Sequence, residues 1–332
     1  MKNGKLTDAG RAELKKGRRK SKSKKTMTPA VRYLRYELTN SGTPGTETSH
    51  FVDLARDLSR VNRRLYRQGR DYHVKKITVV SSNTPNAGDP GAQNNRVSVA
   101  TIDQGWVSQM AWKRGFKVWN KMNAEASKQL AGDIDGTWAD FKVHMSQEGR
   151  AATKLNPIDN GGNAYLPGEW AYSIVVTPDG TTTDDEFNLH MLGNHLGGAG
   201  SRVSVGLVKS YGESRATVQT GDPNVPSVAS SDPLVNVFDY GTTIDDVIDN
   251  LEISNDEPPY DINDYPGGDL NAPKPIVVQD STIVDGKTVL GGFMARCGLL
   301  EFETKSPIAN DVYSLLVEIA PGNYRGIKAD VI

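Results

Sequence analysis

Eight basic residues crowd one short run near the N-terminus: Lys15, Lys16, Arg18, Arg19, Lys20, Lys22, Lys24 and Lys25. The chemistry open to such a run is electrostatic. It neutralises phosphate and releases condensed counterions, without preference for base sequence. Lys2, Lys5 and Arg11 add to it, and only Asp8 and Glu13 oppose it within residues 1–26. A solvated tail without a partner is the bland alternative, and the charge density argues against it. The run also fits the general pattern of a nuclear-import signal. A second basic set is Arg60, Arg63, Arg64 and Arg67. These fall largely off the apolar stripe of a helical pattern over 51–67, which makes them second-line candidates for nucleic-acid phosphates. A merely solvated helix face explains them equally well.

Other chemistry is thinly represented. Asp256, Glu257, Asp261, Asp264 and Asp269 supply hard oxygen ligands, and Gly267 and Gly268 allow a tight turn. A structural calcium held between subunits is one reading of this set. Its spacing departs from the EF-hand pattern, and a solvated acidic loop is the main alternative. His190 and His195 are five apart in a segment without helical pattern, and no H-E-x-x-H occurs, so no catalytic metal is expected. The stretch 193–200, GNHLGGAG, lacks the Lys-Ser/Thr of a phosphate loop and reads as turn glycines. Cys297 lies in an apolar stretch and reads as a buried, inert thiol. No G-x-S-x-G occurs, and no carboxylate pair stands out for glycan hydrolysis. The expectation is a protein that is not an enzyme and holds no cofactor beyond that possible calcium.

The elements that must carry these residues are mostly strands. Alternating or short apolar runs predict strands over 31–39, 74–81, 96–101, 138–145, 170–177, 187–192, 202–209, 292–303 and 312–320, with a further candidate at 215–220. Helical spacing appears over 51–67 and over 106–130. In the second, Trp112, Phe116 and Trp119 form an aromatic stripe, read as core rather than as a base-stacking platform. Thr242 or Thr243 caps a short predicted helix over 242–251. Many short strands with two helical insertions predict a mainly β fold, a sandwich or barrel.

Charge divides the chain. The net charge is −1, yet residues 1–26 are strongly basic, and no Lys or Arg lies between Arg215 and Lys274. The predicted organisation is a disordered basic arm over 1–28, a β domain over 29–332, and an acidic, loop-rich insertion at about 220–275. Phosphate would be repelled from that insertion. One cysteine excludes an intrachain disulfide and a zinc finger. No secretory leader or membrane span is expected, and a soluble protein of a reducing compartment is.

The order of parts is similar to that of a known group. A basic arm, a strand and a helix precede residues 95–123, NRVSVATIDQGWVSQMAWKRGFKVWNKMN, and a late strand follows at 291–300, GGFMARCGLL. Together these resemble capsid proteins of small circular single-stranded DNA (CRESS-DNA) viruses, the bacilladnavirus-like members above all. The resemblance covers most of the chain through loose motifs, none of them catalytic. It implies a single jelly roll of two four-stranded antiparallel sheets with helical insertions. It implies an arm that points inward to a single-stranded DNA genome, and self-assembly into an icosahedral virion. Assembly would take place in the host nucleus or cytoplasm. Charge alone does not distinguish DNA from RNA. The alternative is a nucleic-acid-binding protein with a β-sandwich body that builds no shell.

Overall fold

The computed structural model describes residues 28–81, 95–129, 138–166, 168–176, 186–197, 203–214 and 275–332. The basic run 15–25, the loop over 83–94, the strand candidate 215–220, the helix over 242–251 and the acidic set 256–269 lie outside these residues.

The chain is mainly β. Its strands are β1 (Tyr33–Thr39), β2 (Glu47–Asp53), β3 (Arg70–Ser81), β4 (Arg96–Thr101), β5 (His144–Ser146), β6 (Ile174–Val176), β7 (Glu186–Leu192), β8 (Ser204–Gly206), β9 (Ile276–Thr282), β10 (Lys287–Leu290), β11 (Phe293–Arg296), β12 (Leu299–Lys305) and β13 (Val312–Ile319). Three short strands follow: β14 (Pro321–Gly322), β15 (Gly326–Ile327) and β16 (Ala329–Val331). The helices are α1 (Leu54–Asn62), α2 (Trp106–Gln129), α3 (Gln147–Ala151) and α4 (Leu207–Glu213).

Two antiparallel sheets form the body. One has the order β1-β13-β3-β10, with β11 and β16 also on β3, and the other β2-β12-β4-β9. The pairing is nested. β4 pairs with β9, β3 with β10 and β11, β2 with β12, and β1 with β13, so a long hairpin closes upon itself. Period-2 alternation sets the register. Leu34, Tyr36 and Leu38 of β1 point inward with Tyr313, Leu315 and Val317 of β13, while Arg35 and Glu37 face out. Inward residues of both sheets, among them Ile77, Val79, Val97, Val99 and Phe302, share one buried core.

Residues 102–275 interrupt this body between β4 and β9. Here β5-β7-β6 form a third sheet, with β8 on β7, and the β5·β7 and β7·β8 pairs are parallel. α2 covers a second core containing Trp112, Phe141, Val143, Met191 and Leu207, and Phe116 and Trp119 pack against it. Trp112 stacks on Phe116 at 5.3 Å and meets Phe141 edge-on at 5.5 Å. The aromatic stripe is therefore core, with Lys113, Lys117 and Lys121 on the exposed face.

Several local expectations change. The helical pattern at 51–67 begins later, because Phe51–Asp53 complete β2 and Asp53 caps α1. Of 202–209 only Ser204–Gly206 is strand. Leu207, Val208 and Tyr211 then turn helical and bury an apolar face in the second core. Of 138–145 only His144 and Met145 join a ladder. The predicted strand over 292–303 breaks at Cys297 (φ 58°) and Gly298 (φ 70°), which pass the chain from one sheet to the other. Cys297 thus sits in a turn, fully buried, and burial pushes its thiol well above the ordinary range. β2, β9, β10 and the short C-terminal strands were not expected.

Gly298 is required twice over. Its φ suits glycine, and a Cβ there would stand 3.0 Å from Tyr72 and 3.2 Å from the Ala55 nitrogen. Gly298→Ala should destabilise the fold by about 1–3 kcal/mol. Urea denaturation measures this, and an unchanged midpoint would show that the turn tolerates a side chain.

Candidate nucleic-acid interface

The site is organised by α1. Asp53 is extended and caps the helix, its Oδ1 accepting from the Arg56 N–H at 3.0 Å. Leu54, Ala55 and Leu58 bury one face in the sandwich core. The helix stops at Arg63, which adopts the left-handed conformation (φ 52°, ψ 43°) and donates its N–H to the Ser59 carbonyl. This cap leaves Arg63 and Arg64 exposed at the end of the helix dipole that favours cations.

The four sequence-predicted arginines do not play one role. Arg60 turns inward, donating to Asn156 Oδ1 at 2.7 Å with Asp57 at 3.9 Å. Arg67 is exposed, with Asp140 at 3.8 Å. Arg63 and Arg64 lie along a cleft of about 430 Å³ with Arg60, Trp138, Lys142, Leu166 and Trp170. Sequence reasoning missed several of these partners. The sequence pattern puts Trp138 at the start of a strand and gives Lys142 no distinguishing signal; Arg325, far along the chain, adds to the basic surface beside the cleft. Arg325 donates to the Leu65 carbonyl, and Tyr66 donates to the Arg325 carbonyl at 2.9 Å. Arg70 stacks on the Tyr324 ring at 3.7 Å. The result is a basic surface built from two distant segments.

The basic arm joins the body at this surface. Val31 donates to Asn62 Oδ1 at 2.7 Å, and Asn62 returns a bond to the Val31 carbonyl at 3.0 Å. Arg64 donates to the Pro29 carbonyl at 3.4 Å. Gly326 (φ 95°) lets Thr28 approach, since a Cβ there would meet its carbonyl at 2.3 Å.

Beneath the cleft lies a buried polar cluster. Asp53 Oδ2 accepts from Gln68 Nε2 at 2.8 Å, Trp170 Nε1 at 3.2 Å and Tyr172 OH at 3.1 Å. Gln68 also bonds both backbone groups of Val143, at 2.7 and 3.2 Å. These bonds satisfy the Val143 backbone, which joins no strand ladder. Asp57 accepts from Tyr36 at 2.8 Å and from Arg56 at 2.8 Å, and burial pushes its carboxyl up to about 6. His144 stacks on Tyr172 at 3.9 Å and meets the Lys154 ammonium at 3.2 Å. Burial, with Lys154 second, lowers His144 to about 3. Burial likewise lowers Lys154 to about 8 and His190 to about 4.

The two histidines noted in the sequence hold turns. His190 Nε2 pairs with the Asn194 carbonyl at 2.9 Å, and His195 accepts from Gly206 N–H at 3.1 Å and faces Glu213 at 3.1 Å. Among the described residues no three His, Cys, Asp or Glu side chains group to hold a metal. No described helix is long and apolar enough to cross a membrane.

Asp53→Ala would strand three buried donors and uncap α1. It should cost about 3–5 kcal/mol and shift Trp170 fluorescence to the red. Wild-type stability in that variant would refute the cluster's role. A pH effect also follows. Below pH 6.5 the unfolded chain protonates its histidines, while folded His144 and His190 stay neutral to about 3 and 4. Their contribution is full above pH 6.5 and is lost as pH falls. Asp57 has the opposite sign between its ordinary 3.8 and about 6, and burial raises Asp71, Asp140, Glu301 and Glu303 in the same direction as Asp57, so the histidine contribution is read by comparison with a His144 variant. At pH 4.5 His144 alone should subtract about 2–3 kcal/mol relative to pH 7. His144→Gln should flatten the acid limb of a urea-midpoint profile, and parallel profiles would contradict this.

Comparison of the chain with known families, curated proteins and solved structures finds no match to any of the three.

Proposed function

We propose that this chain is a viral capsid protein: the repeating subunit of an icosahedral shell that packages single-stranded DNA through its basic N-terminal arm. The observation that carries this reading is the nested strand pairing, joined to an arm root set in an arginine-rich face. With β11 and the short C-terminal strands set aside, β4 pairs with β9, β3 with β10, β2 with β12 and β1 with β13, and the sheets read β1-β13-β3-β10 and β2-β12-β4-β9. This is the order expected of a single jelly roll, a fold used by viral shells but also by lectins and cupins. Fold alone does not give function. The sequence of the arm supplies the second half of the argument, since eight basic residues fall within 15–25 and the first described residues after them, at Pro29 and Val31, bond to Arg64 and Asn62.

A shell subunit must neutralise phosphate on one side and remain soluble on the other. A cationic arm and face with an acidic remainder meet that need. The preference for DNA over RNA rests on the resemblance of 95–123 and 291–300 to CRESS-DNA capsids. That resemblance also supports a virion location, with assembly in the host nucleus or cytoplasm. Calcium held between subunits by Asp256, Glu257, Asp261, Asp264 and Asp269 belongs to the same proposal.

The test is to replace Lys15, Lys16, Arg18, Arg19, Lys20, Lys22, Lys24 and Lys25 with Ser or Gln. The body should keep its thermal midpoint, while co-purifying nucleic acid, read from the 260/280 nm absorbance ratio, should be lost. A body that unfolds, or nucleic acid retained at the wild-type level, would overturn the arm's assignment.

A further inference from the structure

The cleft beside α1 has one feature that neutralising phosphate does not require, an apolar and aromatic wall. Trp138 is 65% exposed and Leu166 86% exposed. Trp170 stands with them, its indole N–H held by Asp53 at 3.2 Å and its ring faced by the Lys142 ammonium at 4.7 Å. Arg60, Arg63 and Arg64 share the lining with them, and Glu169 is the one acid on it. Large apolar side chains left in water beside a row of cations call for a partner that is apolar on one side and anionic on the other. An unpaired nucleotide is such a partner, whereas a duplex keeps its base faces stacked and hidden.

We propose that this cleft seats one unpaired nucleotide of a single strand. Its base lies against Trp138 and Leu166, and its phosphate on Arg63 and Arg64. The volume of about 430 Å³ falls within the range of small-molecule sites, about 300–1,000 Å³. Base–aromatic stacking tolerates any base, as a site repeated over a whole genome must. The arm root at Pro29 touches Arg64, so a strand gathered by the arm is delivered to the cleft. The inference rests on the packaging role proposed above and adds to it a choice of single strand over duplex.

The experiment photo-crosslinks the full chain to oligothymidylate carrying 5-iodouracil, in salt near 0.5 M so that the arm's attraction is weakened. Adducts are mapped by mass spectrometry. Adducts should fall on Trp138. Trp138→Ala should lose them and weaken single-strand binding about 5- to 100-fold, with duplex binding unchanged and Trp138→Phe retaining most of the affinity. An unchanged preference for single strand over duplex in Trp138→Ala would overturn the proposal. So would equal protection of Trp138 from oxidation in nucleic-acid-free protein, which would mean that a protein segment covers it. Micrographs of the same samples separate the two readings. Shells formed by Trp138→Ala with an unaltered adduct pattern sink the cleft alone. Adducts on Trp138 in a wild-type protein that forms no shells sink the shell alone.

Discussion

One buried carboxylate holds the functional face together. Asp53 ends β2, caps α1, and binds Gln68, Trp170 and Tyr172 from separate stretches of chain. A fully buried carboxylate is tolerable only when its lone pairs are filled. The four groups that fill them are therefore fixed in place. Two come from the long insertion between β4 and β9, so the need to satisfy Asp53 docks that insertion onto the sandwich. The same bonds hold Trp170 on the cleft lining and fix the start of the helix that carries Arg60 and ends at Arg63.

Charge is then sorted by depth. Arg56 and Arg60 are spent on internal partners, Asp57, Leu155 and Asn156. Arg63, Arg64 and Arg67 stay at the surface, beside the point where the arm departs. The left-handed cap at Arg63 makes this division, since a continued helix would have carried the next arginines around its axis. Arg63, Arg64 and Arg67 thus present positive charge to solvent on one face, which attracts a polyanion.

The strands at 33–39 and 312–319 were legible because apolar and polar side chains alternate with burial along most of their length, and 96–101 from its alternating valines, although its Ser98 and Thr101 are buried as well. The helix at 106–129 was legible from its aromatic stripe. β9 and β10 were missed because they are edge strands with exposed Ile276, Val277 and Val289, although Asp285-Gly286 between them is a turn signal. The break at Cys297-Gly298 hid inside an apolar run. Of the site, Arg60, Arg63, Arg64 and Arg67 could be named in advance, but not which would turn inward, because Asn156 and Asp140 lie far along the chain. Trp138, Lys142 and Trp170 reach the cleft, and Arg325 reaches the Leu65 carbonyl, only through tertiary contacts, which local patterns do not carry.

The central claim is that copies of this chain close into a shell with the α1 face inside. Electron cryomicroscopy of the purified full chain tests it most directly. The account predicts closed icosahedral particles in which Arg63, Arg64 and the start of the arm line the inner surface against nucleic-acid density. A small monodisperse species at every salt concentration, or particles with that face turned outward, would contradict it.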